Sequence, residues 1–164
     1  MRNILRRAAA SLALLALAAT AGAQLPQGAR LDLDSLDRLA PLAAKAEKRT
    51  DKTPDGRGTV YVREFEFREA GAYREEDLAA VRAQVAGPGW SQMLKTVDRD
   101  DPAGVETVEI YVYTRKVGRR VRGGMLIIAA EPKELTVVNV AGEGDAKQLL
   151  EQIRRGDAQK KEKR

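Results

Sequence analysis

No histidine and no cysteine occurs anywhere in this chain of 164 residues, and each absence narrows its chemistry. Without imidazole, the commonest general base and the commonest metal ligand are both missing. Without thiol there is no disulfide, no thiolate nucleophile and no acylation site for a lipoprotein anchor. Aromatic residues are few as well, one Trp, four Tyr and two Phe. No cofactor, metal site or catalytic residue is expected from what remains. Serine with a lysine base is still conceivable, and Ser91 and Lys95 are the close pair in the mature chain. On a regular strand their spacing puts both on one face but about 13 Å apart.

The formal net charge of +5 invites a nucleic-acid reading, but the basic residues are unevenly placed. Three lie within residues 1–23 and six within the last eleven, which leaves 20 basic against 22 acidic residues in 24–153. The folded part therefore lacks the dense basic signature of a phosphate-backbone binder. No nucleic-acid partner is expected. The basic run 154–164 reads as a solvated tail.

Residues 1–23 have the form of a signal peptide: Arg2, Arg6 and Arg7, an apolar run from Ala8 to Ala19, then Ala21-Gly22-Ala23 as a small-residue cleavage site. Such a run is too short to span the roughly 30 Å of hydrocarbon in a bilayer. Export to the periplasm or beyond is expected, with cleavage after Ala23 and no integral membrane segment afterwards.

Hydrophobic periodicity supplies the rest. Val105–Lys116, Arg120–Ala130 and Glu134–Gly142 read as three strands. Val108, Ile110 and Val112 alternate with Glu109, Tyr111 and Tyr113, whereas Met125-Leu126-Ile127-Ile128 has no polar break and predicts a strand covered on both faces or central in the sheet. The turns at Gly118 and Pro132 are short, so these strands form an antiparallel meander. Thr59–Arg68 and Trp90–Asp98 are further strands.

Leu33, Leu36, Leu39, Ala43 and Ala46 recur at helical spacing and predict a helix over about Asp34–Arg49, kinked at Pro41 or starting there. Thr50–Gly58 reads as a linker, Arg74–Ala86 as a second helix and Asp145–Ile153 as a short terminal one. The expected organisation is a signal peptide (1–23), an N-terminal helix and linker (24–58), an α+β domain (59–153) and a basic tail (154–164). That domain is a mainly antiparallel β-sheet of about five strands with helices packed on one face.

The carboxylate groups Glu64, Glu66 and Glu69, and Asp98, Asp100 and Asp101, lack the spacing of a calcium loop and read as a strand's solvent face and a polar turn. Gly142-Glu143-Gly144 is too short a glycine pattern to define an anion loop. Trp90, Tyr111 and Tyr113 are the candidates for partner contact, because aromatic side chains are enriched at binding hot spots. The alternative for the tyrosines is plain core.

These residues resemble a family of exported bacterial proteins described as domain of unknown function 4252. The similarity runs from Val60 to Ile153. It is carried by Tyr61-Val62-Arg63-Glu64-Phe65-Glu66-Phe67, Gly71-Ala72-Tyr73, Gly87-Pro88-Gly89-Trp90-Ser91, Val108-Glu109-Ile110-Tyr111 and, most specifically, the run from Ala129 to Gly142. The family pattern has a longer helical region before Tyr61, so Thr50–Gly58 looks shortened. The resemblance implies export and, through gene neighbourhoods, a link to envelope-stress signalling. It supplies no catalytic residue. The expected function is non-enzymatic binding of a protein or envelope component; the alternatives are a periplasmic hydrolase using carboxylates or lysine, and a small-ligand carrier.

Overall fold

Alternating side chains and short turns place six strands in one sheet, described here from a computed structural model that covers residues 28–99 and 104–144. The expected signal segment, polar turn at Asp100-Asp101-Pro102, terminal helix and basic tail lie outside the described residues. The strands are β1 (Lys45–Lys52), β2 (Gly58–Glu66), β3 (Trp90–Asp98), β4 (Glu106–Val117), β5 (Arg120–Ala130) and β6 (Glu134–Glu143). They lie in the order β1-β2-β6-β5-β4-β3, every neighbouring pair antiparallel. β4, β5 and β6 are the expected meander. β2 and β3 flank it and are joined by a crossover through helix α1 (Glu75–Val85).

The fold is broadly α+β and mostly antiparallel sheet, as expected, but with six strands. The additional one is β1, at the edge. The segment Asp34–Arg49 is not one helix. Asp34–Leu42 forms a 3-10 helix that contains Pro41, Ala43 is extended, and the chain from Lys45 pairs with β2. Proline has no N–H to extend the helical ladder, and beyond it the sequence Lys-Ala-Glu-Lys-Arg-Thr-Asp-Lys offers no apolar stripe to hold a helix against a core. An edge strand needs none, because its backbone is satisfied on one side and its side chains face water.

Thr50–Gly58, read as a linker, closes a β-hairpin instead. The Thr53 N–H donates to the Gly58 carbonyl at 3.0 Å, and the Thr53 hydroxyl accepts from Gly58 N–H at 2.7 Å and donates to Asp55 at 2.7 Å. Gly56 takes a φ of +71° in the turn, a conformation open to glycine at little steric cost.

Register divides the sheet into two faces. On the front lie Tyr61, Arg63 and Phe65 of β2; Leu135, Val137 and Asn139 of β6; Leu126 and Ile128 of β5; and Glu109, Tyr111 and Tyr113 of β4. The 3-10 helix and α1 pack here: Leu36, Leu39, Leu78, Val81 and Val85 join Phe65, Phe67, Leu126, Ile128, Leu135 and Val137 in one buried cluster. On the back a separate cluster holds Val60, Val62, Met125, Ile127, Val138 and Val140, with Ile110 against it. Met125 to Ile128 are all buried, as their unbroken apolar run predicts.

Candidate functional site

Two charged clamps set the helices on the front face. Arg63, buried in β2, donates from Nε to Asp37 at 2.8 Å and from Nη2 to Asp34 at 2.9 Å, both on the 3-10 helix, and from Nη1 to the Val62 carbonyl at 3.1 Å. Lys48 joins the same two aspartates from β1 at 2.6 and 3.1 Å. The Lys48 hydrogen bond holds the Asp34 carboxyl below its ordinary range. Burial alone would raise Asp37, but hydrogen bonds from Lys48 and Arg63 outweigh it and hold it low as well. The second clamp has the opposite polarity. Glu109 on β4 is fully buried and receives Arg82 of α1 at 3.1 and 3.0 Å, the Tyr111 hydroxyl at 2.7 Å and Lys95 of β3 at 3.1 Å.

Burial would push the Glu109 carboxyl up, yet hydrogen bonds from Arg82, Tyr111 and Lys95 bring it below the usual glutamate value. Tyr111 is pushed up to about 12 by burial and by its hydrogen bond to that carboxylate. A general acid needs a proton near neutral pH; these carboxylates are held ionised instead. Their chemistry is that of fixed charge.

Beside Arg63 opens a cleft of about 370 Å³ lined by Arg30, Leu31, Asp32, Leu33, Asp34, Tyr61, Arg63 and Gln84. Arg30 lies over the Tyr61 ring at 5.1 Å, a cation–π distance. Gln84 is occupied by the backbone of Asp32, through bonds of 2.8 and 2.7 Å. The segment that walls the cleft is held by Asn139, a buried side chain that accepts from Leu31 N–H at 2.9 Å and donates to the Ala29 carbonyl at 3.0 Å.

Of the candidate contact residues, Tyr113 is buried, and Trp90 and Tyr111 are half-buried. The Trp90 and Tyr113 rings pack with centroids 5.4 Å apart, and Trp90 Nε1 donates to the Gly28 carbonyl at 2.9 Å. Gly28 and Gly89 both take positive φ against Tyr113, and a Cβ on either would approach that ring or its hydroxyl to 2.8 Å or less. Tyr111 spends its hydroxyl on Glu109. All three rings are thus engaged within the chain.

The Ser91 and Lys95 pair is not on one face. A bulge between Gln92 and Leu94 shifts the phase of β3, so Ser91 sits opposite Val112 on the back while Lys95 reaches Glu109 on the front. The amides of Glu143 and Gly144 donate to the carbonyls of Arg57 and Val121, so these two N–H groups of the glycine pattern are taken by the sheet. Glu66 pairs with Lys45 at 3.1 Å, while Glu64 is half-buried on the back face, where burial and the neighbouring Glu47 push its carboxyl up. Among the described residues no group of acidic side chains has the arrangement of a metal site.

What sequence reasoning passed over is the free edge. Among the described strands β3 pairs only with β4, and every residue from Ser91 to Val97 is exposed. Met93 is 61 % accessible, Leu94 40 % and Val97 41 %. Poor alternation was the available signal, since an edge strand with little burial has no reason to alternate.

Comparison with known proteins finds no matching family model and no match among curated proteins. Among the described residues no helix is long and apolar enough to cross a membrane.

Proposed function

We propose that this is an exported, non-enzymatic protein of the bacterial envelope that captures an extended segment of another protein by strand addition at β3. The observation that carries the reading is the contrast between the sheet's two edges. β1 is guarded by Lys45, Glu47, Lys48, Arg49, Asp51 and Lys52, the charged pattern that blunts edge-to-edge pairing. β3 offers Met93, Leu94 and Val97 to water beside an edge that no described strand pairs. Strand addition draws affinity from main-chain hydrogen bonds and specificity from alternate side chains. The leader-like residues 1–23 and the motif resemblance to an exported family support the location, and the occupied state of the front-face carboxylates supports binding over catalysis.

The test is capture from envelope extract with the wild-type chain and with Leu94→Lys combined with Val97→Lys. The pair of lysines is expected to reduce capture at least tenfold with the circular dichroism spectrum unchanged. Amide exchange along β3 is expected to slow in the wild-type complex. Equal capture by both proteins, or protection confined to another surface, overturns the assignment of β3.

A further inference from the structure

β4 and β5 outrun their neighbours. β3 stops pairing at Trp90 opposite Tyr113, with the Gly89 carbonyl accepting from Thr114 N–H at 3.2 Å; β6 ends at Glu143 opposite Arg122, and Gly144 N–H reaches the Val121 carbonyl at 2.9 Å. The rest of the β4–β5 hairpin stands clear of the sheet, held by Lys116 opposite Val121 and Val117 opposite Arg120 and turned at Gly118, whose φ is +61°. The stretch from Tyr113 to Val117 carries β4 about 13 Å beyond its last pair with β3. Every residue from Thr114 to Val121 is exposed. We propose that this tip docks on the surface of an anionic phospholipid bilayer.

Its charge is of one sign. Arg115, Lys116, Arg119, Arg120 and Arg122 crowd the hairpin, and the one ion pair that any of them makes among the described residues is Arg120 with Glu143 at 2.9 Å. A strand guarded against pairing looks different: β1 mixes lysine and arginine with glutamate and aspartate. Arg115 and Arg122 stand directly opposite each other, and like charges so placed destabilise a hairpin. A negatively charged surface turns that repulsion into shared attraction.

Apolar chemistry decides among the possible polyanions. Val117 is 47 % exposed and Val121 38 %, and they lie on opposite faces of the hairpin. Only a tip-first approach brings both to one surface. A bilayer takes such side chains below its headgroups while the long cationic ones reach the phosphates. Single-stranded nucleic acid draws instead on aromatic platforms; residues 114–122 contain none, and the nearby Trp90 and Tyr113 rings pack on each other. The far end of the same strands carries Asp98, Glu106, Glu131 and Glu134 against Arg99 and Lys133. An anionic surface therefore stands the strands upright with the hairpin down. The free edge of β3 then faces sideways, so the docking is independent of strand addition and compatible with it.

Flotation of the full-length chain with vesicles tests the proposal. Binding is expected to vesicles of phosphatidylcholine and phosphatidylglycerol in equal parts, weakening as salt is raised, with little binding to phosphatidylcholine alone. Each cation at such a surface is worth about fivefold in partitioning, so Arg115→Ser with Arg119→Ser is expected to lower it at least about tenfold. The charge-matched control at the far end, Arg68→Ser with Lys133→Ser, lies beyond a Debye length and should stay within about twofold of wild type. The fluorescence that Val117→Trp adds is expected to be quenched by lipids brominated on their chains, and that of Trp90 in the wild type to be unchanged. No binding, equal binding to both kinds of vesicle, equal losses in the two charge variants, or an unquenched Val117→Trp overturns the proposal. Tighter binding of the chain to duplex DNA than to the anionic vesicles, lost in the same arginine variant, overturns it in favour of a nucleic-acid surface. Should the arginine variant fail to fold, the quenching of Val117→Trp decides alone.

Discussion

Glu109 is a carboxylate that tolerates complete burial because three donors converge on it. Removing one member of a buried pair leaves an uncompensated charge and costs about 3–5 kcal/mol, whereas an exposed pair such as Lys45–Glu66 is worth about 0.2–1 kcal/mol. Arg82→Ala is therefore expected to destabilise the fold far more than Lys45→Ala, with urea midpoints as the measure. The pH dependence separates Glu109 from Glu64. Glu109 has a folded pKa below its unfolded value, so its contribution is present above the unfolded value near 4.5 and is lost as pH falls through the folded one. Glu64 is raised, so its ionisation opposes folding as pH climbs through the folded value. Glu109→Gln should flatten the acid limb of stability against pH and lower the plateau at neutral pH. Glu64→Gln should raise the melting temperature at pH 7. Identical pH profiles for the two variants would contradict both assignments.

At the scale of elements, β4 shows how much a pattern of alternation can and cannot reveal. That Tyr111 and Tyr113 face away from Ile110 and Val112 follows from period two, and the register agrees. What covers them depends on chain far away: Gly28, Ala29, Gly89 and Trp90 close over Tyr113, and Arg82 and Lys95 reach the carboxylate that holds Tyr111. Such contacts leave no mark in a local window. The meander, α1 and the β2 strand were legible because their apolar residues recur at a fixed period or, in β5, run without a polar break. β1 was not, because a charged edge strand has no buried face and the preceding leucines extend a helical pattern past Pro41. The bulge in β3 was equally hidden, and with it the true sides of Ser91 and Lys95. Asn139 did leave a trace, a polar residue inside an apolar strand, but its role in holding residues 29–31 shows only once that segment is in place. Tyr113→Ser is expected to cost about 3–5 kcal/mol through the cavity it opens. Tyr111→Ser loses one hydrogen bond to a charged group, about 1.5–3 kcal/mol, together with the packing of a half-buried ring against the front core, and is expected to cost less than Tyr113→Ser because that ring is only partly buried. Denaturant unfolding of the two variants tests the order.

For the whole molecule, the decisive feature is that one set of strands serves two cores. β2, β5 and β6 each send alternate side chains forward to the helices and back to the second cluster. The ladder of backbone hydrogen bonds is common to both, so a cavity on one side weakens the frame that the other side packs on. Two clusters built on separate elements would instead melt independently, as local units of differing stability. Met125→Ala opens a cavity at the back and Ile128→Ala one at the front, and both sites are fully buried. Each is expected to cost about 2–5 kcal/mol. In calorimetry each variant should show a single transition, shifted down by several degrees for every kcal/mol lost, with calorimetric and van't Hoff enthalpies still equal. A second transition in either variant, or a back-face substitution that loosens the back cluster while α1 keeps its wild-type amide protection up to the main melt, would show the layers to be uncoupled. The shared sheet would then be two weakly joined halves.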